Sequence, residues 1–230
     1  IDVYKKKDYL FITVTNPTKT EVAIKDNKIV TSKDDKSNHG LGLSSVEETL
    51  KKSKELLLKN VKINILDLCT GSGAIAVSLS NFLGDEAEVF ASDISTKALE
   101  VAKYNNGKNN TNVRFIESNL FENIQEQKFN IIVSNPPYIR SNVINNLPKQ
   151  VQNEPHLALD GGEDGLKFYK KIIEQACNYI ENGYLILEIG YDQKEDVENL
   201  LKENKNYSEI KTIQDLSGND RCVIAKVGKI

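Results

Sequence analysis

Methionine and tryptophan are absent from this 230-residue sequence, and cysteine and histidine are scarce, at three and two residues. Cys69, Cys177 and Cys222 are too few and too far apart for a disulfide framework. With so little histidine they do not compose a zinc site either, so free buried thiols and no metal are expected. No apolar run approaches the roughly 20 residues that span a bilayer, and the opening Ile1-Asp2-Val3-Tyr4-Lys5 lacks the apolar core of a signal peptide. The expectation is a cytoplasmic protein without membrane contact. Basic runs are missing too: 30 basic against 33 acidic residues leave a formal net charge of −3, which does not favour stable nucleic-acid binding. A chain with no methionine that opens on Ile1 is what a processed fragment, an engineered product or a sequence stripped of modified methionines would show.

What remains is an ordinary globular composition, 39% hydrophobic and 27% charged, long enough for one full α/β domain and a small appendage. Residues 1–43 form a β-rich segment: residues 9–15 are aromatic and β-branched, and residues 21–24 and 28–30 flank an Asp26-Asn27 turn, predicting a strand and a hairpin. Residues 31–38 are polar and read as an exposed loop. A linking helix is predicted over residues 44–60, because Ser44-Ser45-Val46-Glu47 is a capping box and Leu43, Val46, Leu50 and Leu57 share one face.

From residue 61 to the C-terminus, apolar strand-like runs at 63–66, 89–92, 113–116, 129–134 and 184–189 alternate with helical stretches near 74–83, 96–106 and 166–179. Alternation of this kind predicts βαβ units and a parallel sheet covered by helices on both faces. Residues 209–213 and 222–225 are two strands with no helix between them, so an antiparallel hairpin should close the sheet.

Two places carry chemistry. From residue 65 a buried strand runs through Asp67 and Cys69 into Thr70-Gly71-Ser72-Gly73 and then a helix, a turn in which glycine lets the backbone approach a ligand and helix-start N–H groups attract an anion. Asp93, 20 positions after Gly73 at the end of the next strand, is placed to accept from both hydroxyls of a ribose. The spacing Gly71-x-Gly73-x-x-Ala76 fits a dinucleotide as well as other nucleoside cofactors.

The second place, Asn135-Pro136-Pro137-Tyr138, follows the fourth strand at the carboxyl edge, where open α/β sheets bind ligands. Two prolines stiffen the turn and remove donors, so the Asn135 side-chain oxygen and the Pro136 carbonyl can both accept from one planar NH2 group, with Tyr138 offering a stacking face. Such a nitrogen is a poor nucleophile because its lone pair is delocalised. Two acceptors on its hydrogens raise its electron density and aim it at a methyl-sulfonium carbon, and alignment of both reactants supplies most of the acceleration.

Residues 61–230 resemble the catalytic domain of the HemK/PrmC family, the release factor glutamine N5-methyltransferases, in five ordered segments: 67–76, 91–95, 134–139, 154–165 and 187–191. The resemblance implies a class I S-adenosylmethionine methyltransferase fold, Rossmann-like, with a seven-stranded, mostly parallel sheet and an antiparallel last strand. It implies S-adenosyl-L-methionine as cofactor, S-adenosyl-L-homocysteine as product, and the glutamine of the Gly-Gly-Gln motif in class I peptide chain release factors as substrate. Thr70, Gly71, Ser72 and Gly73 would line the cofactor's methionine end, with Asp67 orienting the turn or touching the amino group. Asp93 would hold the ribose and Asn119 and Leu120 the adenine region, while residues 135–138 seize the substrate amide, Asn135 also facing the cofactor. Cys69 stands where the family usually has glycine and Asn119 where an acid is common, which implies weaker cofactor binding rather than none. The family's helical N-terminal domain has no counterpart in residues 1–43. With Asn38-His39-Gly40-Leu41-Gly42-Leu43, these residues resemble the end of a GHKL-type sensor kinase ATPase domain, without its other ATP-site boxes, so neither ATP hydrolysis nor a phosphoacceptor role for His39 is expected.

Three other functions stand beside this one. A nucleic-acid amino (N6-adenine) methyltransferase shares the Asn-Pro-Pro-Tyr chemistry but needs a basic groove. A dinucleotide-dependent oxidoreductase leaves residues 135–138 without a role, and a chimeric module would bind cofactor without catalysis. Glu154 and His156 are candidates for shaping the substrate mouth.

Overall fold

The computed structural model describes residues 62–215 and 217–228, and within the first 30 residues the backbones of four short strands. Of these, β1 (Asp2–Lys6) pairs antiparallel with β2 (Tyr9–Thr13), and β3 (Ala23–Lys25) with β4 (Lys28–Val30). The hairpin about Asp26-Asn27 is therefore present, and the strand at Tyr9 has a partner that its neighbours did not advertise. The helix predicted over residues 44–60 and the loop at 31–38 lie outside the described residues.

The rest is built on a seven-stranded sheet: β5 (Ile63–Leu68), β6 (Ala87–Asp93), β7 (Val113–Glu117), β8 (Phe129–Ser134), β9 (Ile180–Glu188), β10 (Tyr207–Gln214) and β11 (Asp220–Val227). In space the order is β10-β11-β9-β8-β5-β6-β7. The five strands from β9 to β7 run parallel, while β11 pairs antiparallel with both β9 and β10. The closing hairpin predicted from residues 209–225 is thus observed, with its second strand slotted inside its first.

Period-two alternation explains why this sheet needs helices on both sides. Ile63 and Ile65 of β5 face one core cluster, with Ala76, Val77, Leu79 and Leu83 of α1 (Ala74–Leu83). Leu66 and Leu68 face the other, with Tyr169, Ile172 and Ile173 of α3 (Lys167–Ala176) and Val197 and Leu201 of α4 (Lys194–Glu203). Between β6 and β7 runs α2 (Thr96–Lys108), capped by the Ser95 hydroxyl, which accepts from Ala98 N–H at 3.3 Å. Helix α4 was not predicted, although Val197, Leu200 and Leu201 have helical spacing and Glu195 and Asp196 occupy its first turn.

Chain order reverses beside β5: the strands proceed outward through β6 and β7, then return to β8 on the opposite flank. A crevice at the carboxyl end of β5 follows from that reversal. Between β8 and α3 the chain makes a 3₁₀ turn (Ser141–Asn146) and two single-turn helices (Lys149–Gln152 and His156–Leu159). Among the described residues, no helix is long and apolar enough to cross a membrane.

Candidate active site

Leaving β5, the chain makes a turn whose polar groups are largely satisfied from within. Asp67 is fully buried, and its Oδ2 accepts from the Thr70 hydroxyl at 2.5 Å and from Ala76 N–H at 3.0 Å. Gly71 N–H donates to Asp93 Oδ2 at 2.8 Å, while Gly73 N–H reaches the Thr70 carbonyl at 2.9 Å. Fewer helix-start donors remain than the sequence suggested: those of Ser72, Ala74 and Ile75 have no acceptor among the described residues. Cys69, Gly71 and Gly73 all have positive φ, at 61°, 55° and 78°. A Cβ on Gly71 would meet nothing within 4 Å, whereas one on Gly73 would lie 2.9 Å from Ala102 Cβ. Gly71 therefore faces open space, and Gly73 permits α1 and α2 to pack closely.

Burial moves the acids and thiols here. The Asp67 carboxyl is pushed up to about 7, because desolvation outweighs its two hydrogen bonds, and its Oδ1 is buried with no partner among the described residues. Burial likewise pushes the Cys69 thiol up to about 12, which makes it an inert packing group rather than a nucleophile. No disulfide joins Cys69, Cys177 or Cys222, and no metal-binding cluster occurs among the described residues.

Asp93 ends β6, half-buried, with Oδ2 on Gly71 N–H and Oδ1 on Ser95 N–H at 2.9 Å. Each carboxylate oxygen keeps a second lone pair for a ligand. The next loop is tied to it through Ser118 N–H and the Asp93 carbonyl at 2.9 Å. There Asn119 donates from Nδ2 to Glu122 at 2.7 Å, which leaves its Oδ1 as an acceptor, and Leu120 is buried with φ 52°.

On the other flank of β5, Leu68 and Ser134 are register partners, and the Ser134 hydroxyl donates to the Leu68 carbonyl at 2.7 Å. Cys69 to Gly73 and Asn135 to Tyr138 therefore emerge side by side. Asn135 is exposed and its amide makes no hydrogen bond to a described residue. Pro136 is buried; Tyr138 is half-buried, with its hydroxyl pushed up to about 12, first by desolvation and then by the Glu188 carboxylate. Glu188, raised by burial, is held ionisable by Arg221 and by the Tyr138 hydroxyl. Arg221 in turn donates to the Ile189 carbonyl and to Asp215. The Tyr138 phenol thus lies near both a carboxylate and a guanidinium.

Gln193, which holds this flank from beyond the motif, escaped the sequence reading. Gln193 is 2% exposed; its Nε2 donates to the Tyr138 carbonyl at 3.0 Å and the Gly165 carbonyl at 3.3 Å, and its Oε1 accepts from Gly190 N–H at 2.9 Å. A Cβ on Gly161 would stand 2.7 Å from Tyr138 Cα, so glycine there admits the motif's backbone. Ile139 bridges to Asp160, and Ser141 donates to the Asp160 carboxylate at 2.6 Å. His156 is exposed, 3.9 Å from Asp160, while Glu154 is exposed and close enough to act on the Tyr138 hydroxyl.

Comparison with known proteins places these features in context. A family model described as methyltransferase small domain matches residues 46–154, and a GHKL domain model matches residues 1–68. The release factor glutamine methyltransferase of Agrobacterium fabrum is 40% identical over 203 residues, covering 80% of this chain and 69% of that protein. The ribosomal protein uL3 glutamine methyltransferase of Francisella tularensis is 47% identical over 133 residues, covering 56% of this chain and 42% of that one. Against three release factor glutamine methyltransferases, the chain spans 47 to 69% of the relative's length. A methyltransferase structure from Pyrococcus furiosus superimposes with a TM-score of 0.56 at 23% identity, covering 77% of this chain and 83% of that one, which is a likeness of fold.

Proposed function

Since the chain belongs to the family of release factor glutamine methyltransferases, we propose that it transfers a methyl group from S-adenosylmethionine to the side-chain nitrogen of a glutamine. The substrate in this proposal is the Gly-Gly-Gln glutamine of a class I peptide release factor. The methyltransferase portion is taken as residues 61–230, with residues 1–43 a separate β-rich segment and 44–60 the link.

The observation that carries the reading is adjacency: the glycine turn and residues 135–138 leave neighbouring parallel strands joined at Leu68 and Ser134. The residues present suit the cofactor. Gly71 opens onto space, Asp93 has lone pairs left for two ribose hydroxyls, Asn119 retains an acceptor for the adenine region, and the orphaned Asp67 Oδ1 lies beneath the turn. Thr70 turns its hydroxyl inward to Asp67, so it would contribute backbone rather than side chain.

When bound, the cofactor supplies an electrophilic methyl group. The protein's own part is placement. The Asn135 oxygen and the Pro136 carbonyl accept from the two amide hydrogens, concentrating electron density on the nitrogen, and Tyr138 holds the flat group from one side. Pro136, which is buried, and the half-buried Tyr138 limit water on that side.

Incubating the chain with S-adenosylmethionine and a release factor, followed by mass spectrometry of the Gly-Gly-Gln peptide, tests the proposal. One added methyl on glutamine, lost when that glutamine is replaced, is the expected result. Cofactor binding without transfer would instead fit a silent module, and label entering nucleic acid would fit an amino methyltransferase acting on bases. The Francisella relative's name raises ribosomal protein uL3 as a second glutamine-bearing substrate. Competition between the two proteins ranks them.

A further inference from the structure

We infer that Gln193 is the positioning residue that keeps the nitrogen-gripping turn in register; the inference rests on the reading of residues 135–138 given above. Prolines at 136 and 137 have no N–H, so two of the four backbone donors of the turn are missing. Tyr138 offers the first carbonyl after both prolines, and the Gln193 amide takes hold of it at 3.0 Å. Among the described residues, Gln193 is the one whose side chain bonds a backbone atom of the motif itself.

The amide is fully used. Its two donors go to Tyr138 and Gly165 carbonyls, and its oxygen goes to Gly190 N–H, so three segments that follow β8, precede α3 and follow β9 converge on one buried group. The chain also makes room for it. A Cβ on Gly165 would come within 2.6 Å of both Gln193 Nε2 and the Tyr138 carbonyl, and one on Gly190 within 2.8 Å of Gln193 Oε1. Gln193 itself is held at the start of α4, accepting from Val197 N–H and donating to the Gly190 carbonyl, each at 3.0 Å. A helix on one face of the sheet thereby sets the position of the turn. Tyr138 is held through its backbone by Gln193, while its phenol lies near the charges of Glu188 and Arg221.

Gln193→Met keeps the length and removes every hydrogen bond, whereas Gln193→Glu, when protonated, keeps one donor. Because a misplacement of about 1 Å can cost on the order of 10²-fold, kcat for release factor methylation should fall about tenfold or more in Gln193→Met. Gln193→Glu should fall between Met and wild type. S-adenosylhomocysteine affinity by calorimetry should stay within about twofold, since the glycine turn and Asp93 are untouched, and KM should change less than kcat. Amide exchange across residues 135–141 should quicken while that of residues 63–68 does not. Wild-type kcat in Gln193→Met, a loss of cofactor affinity parallel to the loss of kcat, or unchanged exchange at 135–141 would each overturn the inference. Should Gln193→Met fail to fold, the same readouts on Gln193→Glu decide. If wild type methylates no release factor, the functional reading has failed, and the exchange rates judge the clamp independently.

Discussion

On the β5 and β6 flank the turn is shaped by acids from its own neighbourhood, Asp67 holding Thr70 and Ala76 and Asp93 holding Gly71 and Ser95. On the β8 flank, by contrast, residues 135–138 carry two prolines and are held by groups from beyond them: Gln193, Glu188, Arg221, and glycines at 161 and 165. The first flank, where the cofactor is proposed to sit, is held by acids of its own strand and the next. The second is a short stiff blade whose aim is set by the rest of the sheet. Substitutions should therefore separate: changes on the first flank should show in cofactor affinity, and changes on the second in turnover.

The largest expected effect is on the second flank. Asn135→Ala removes an acceptor that matters most as the amide nitrogen becomes positive, so kcat should drop on the order of 10²- to 10³-fold with S-adenosylhomocysteine affinity nearly intact. Equal losses in binding and turnover would erase the distinction between the flanks. Asp93→Ala comes next and acts on the first flank. It deletes the acceptor of Gly71 N–H and the proposed ribose contacts. With hydrogen bonds to charged groups contributing about 1.5–3 kcal/mol, the S-adenosylhomocysteine dissociation constant should rise about tenfold to a hundredfold. An unchanged dissociation constant would remove Asp93 from the ribose.

How much of this could be read from the chain follows the same division. Residues 67–76 and Asp93 announce themselves because the cofactor role proposed for them needs a strand, a positive-φ turn and a helix start in immediate succession, a local pattern. The parallel sheet with helices on both faces followed from alternation, and the closing hairpin from the absence of a helix between 213 and 222, whereas the order of the strands did not. The motif 135–138 was equally plain, but its support was not. Gln193 lies 55 positions from Tyr138, so their hydrogen bond leaves no periodicity and no spacing to detect. Gly161 lay within the family-like segment 154–165, but the need for glycine there shows only with the backbone of Tyr138 against it. Helix α4 was legible in Val197, Leu200 and Leu201 and was overlooked because its polar residues dilute the apolar stripe.

Asp67 gives the third prediction. Burial pushes its carboxyl up to about 7 from the ordinary aspartate value of 3.8, so between those values the folded state holds a proton that the unfolded state has already released. The resulting stability is fully present below about pH 3.8 and lost as pH rises through 7. Asp67→Asn cannot titrate. Its melting temperature relative to wild type should climb between pH 5 and pH 8, by about 5 °C for a chain of this size. A pH-independent difference would mean that Asp67 is ionised throughout, satisfied by something other than Thr70 and Ala76.

Smallest, and most local to the first flank, is the strain at Cys69. A non-glycine residue at φ 61° costs about 1–2 kcal/mol, and Cys69 occupies the position where glycine would sit without cost. Direct replacement by glycine blurs the effect, because the Cys69 side chain packs against the core cluster of Leu66 and Leu68, and that contact goes with the strain. Alanine separates the two contributions: Cys69→Ala loses the sulfur and keeps the strain, while Cys69→Gly loses both. After the greater chain entropy of glycine is subtracted, Cys69→Gly should be the more stable of the pair by about 1 kcal/mol, or about 2–4 °C in melting temperature. An alanine variant that melts as high as the glycine variant would show that the turn relaxes at position 69. The first flank would then be softer than the blade beside it, although it is held by acids of its own neighbourhood.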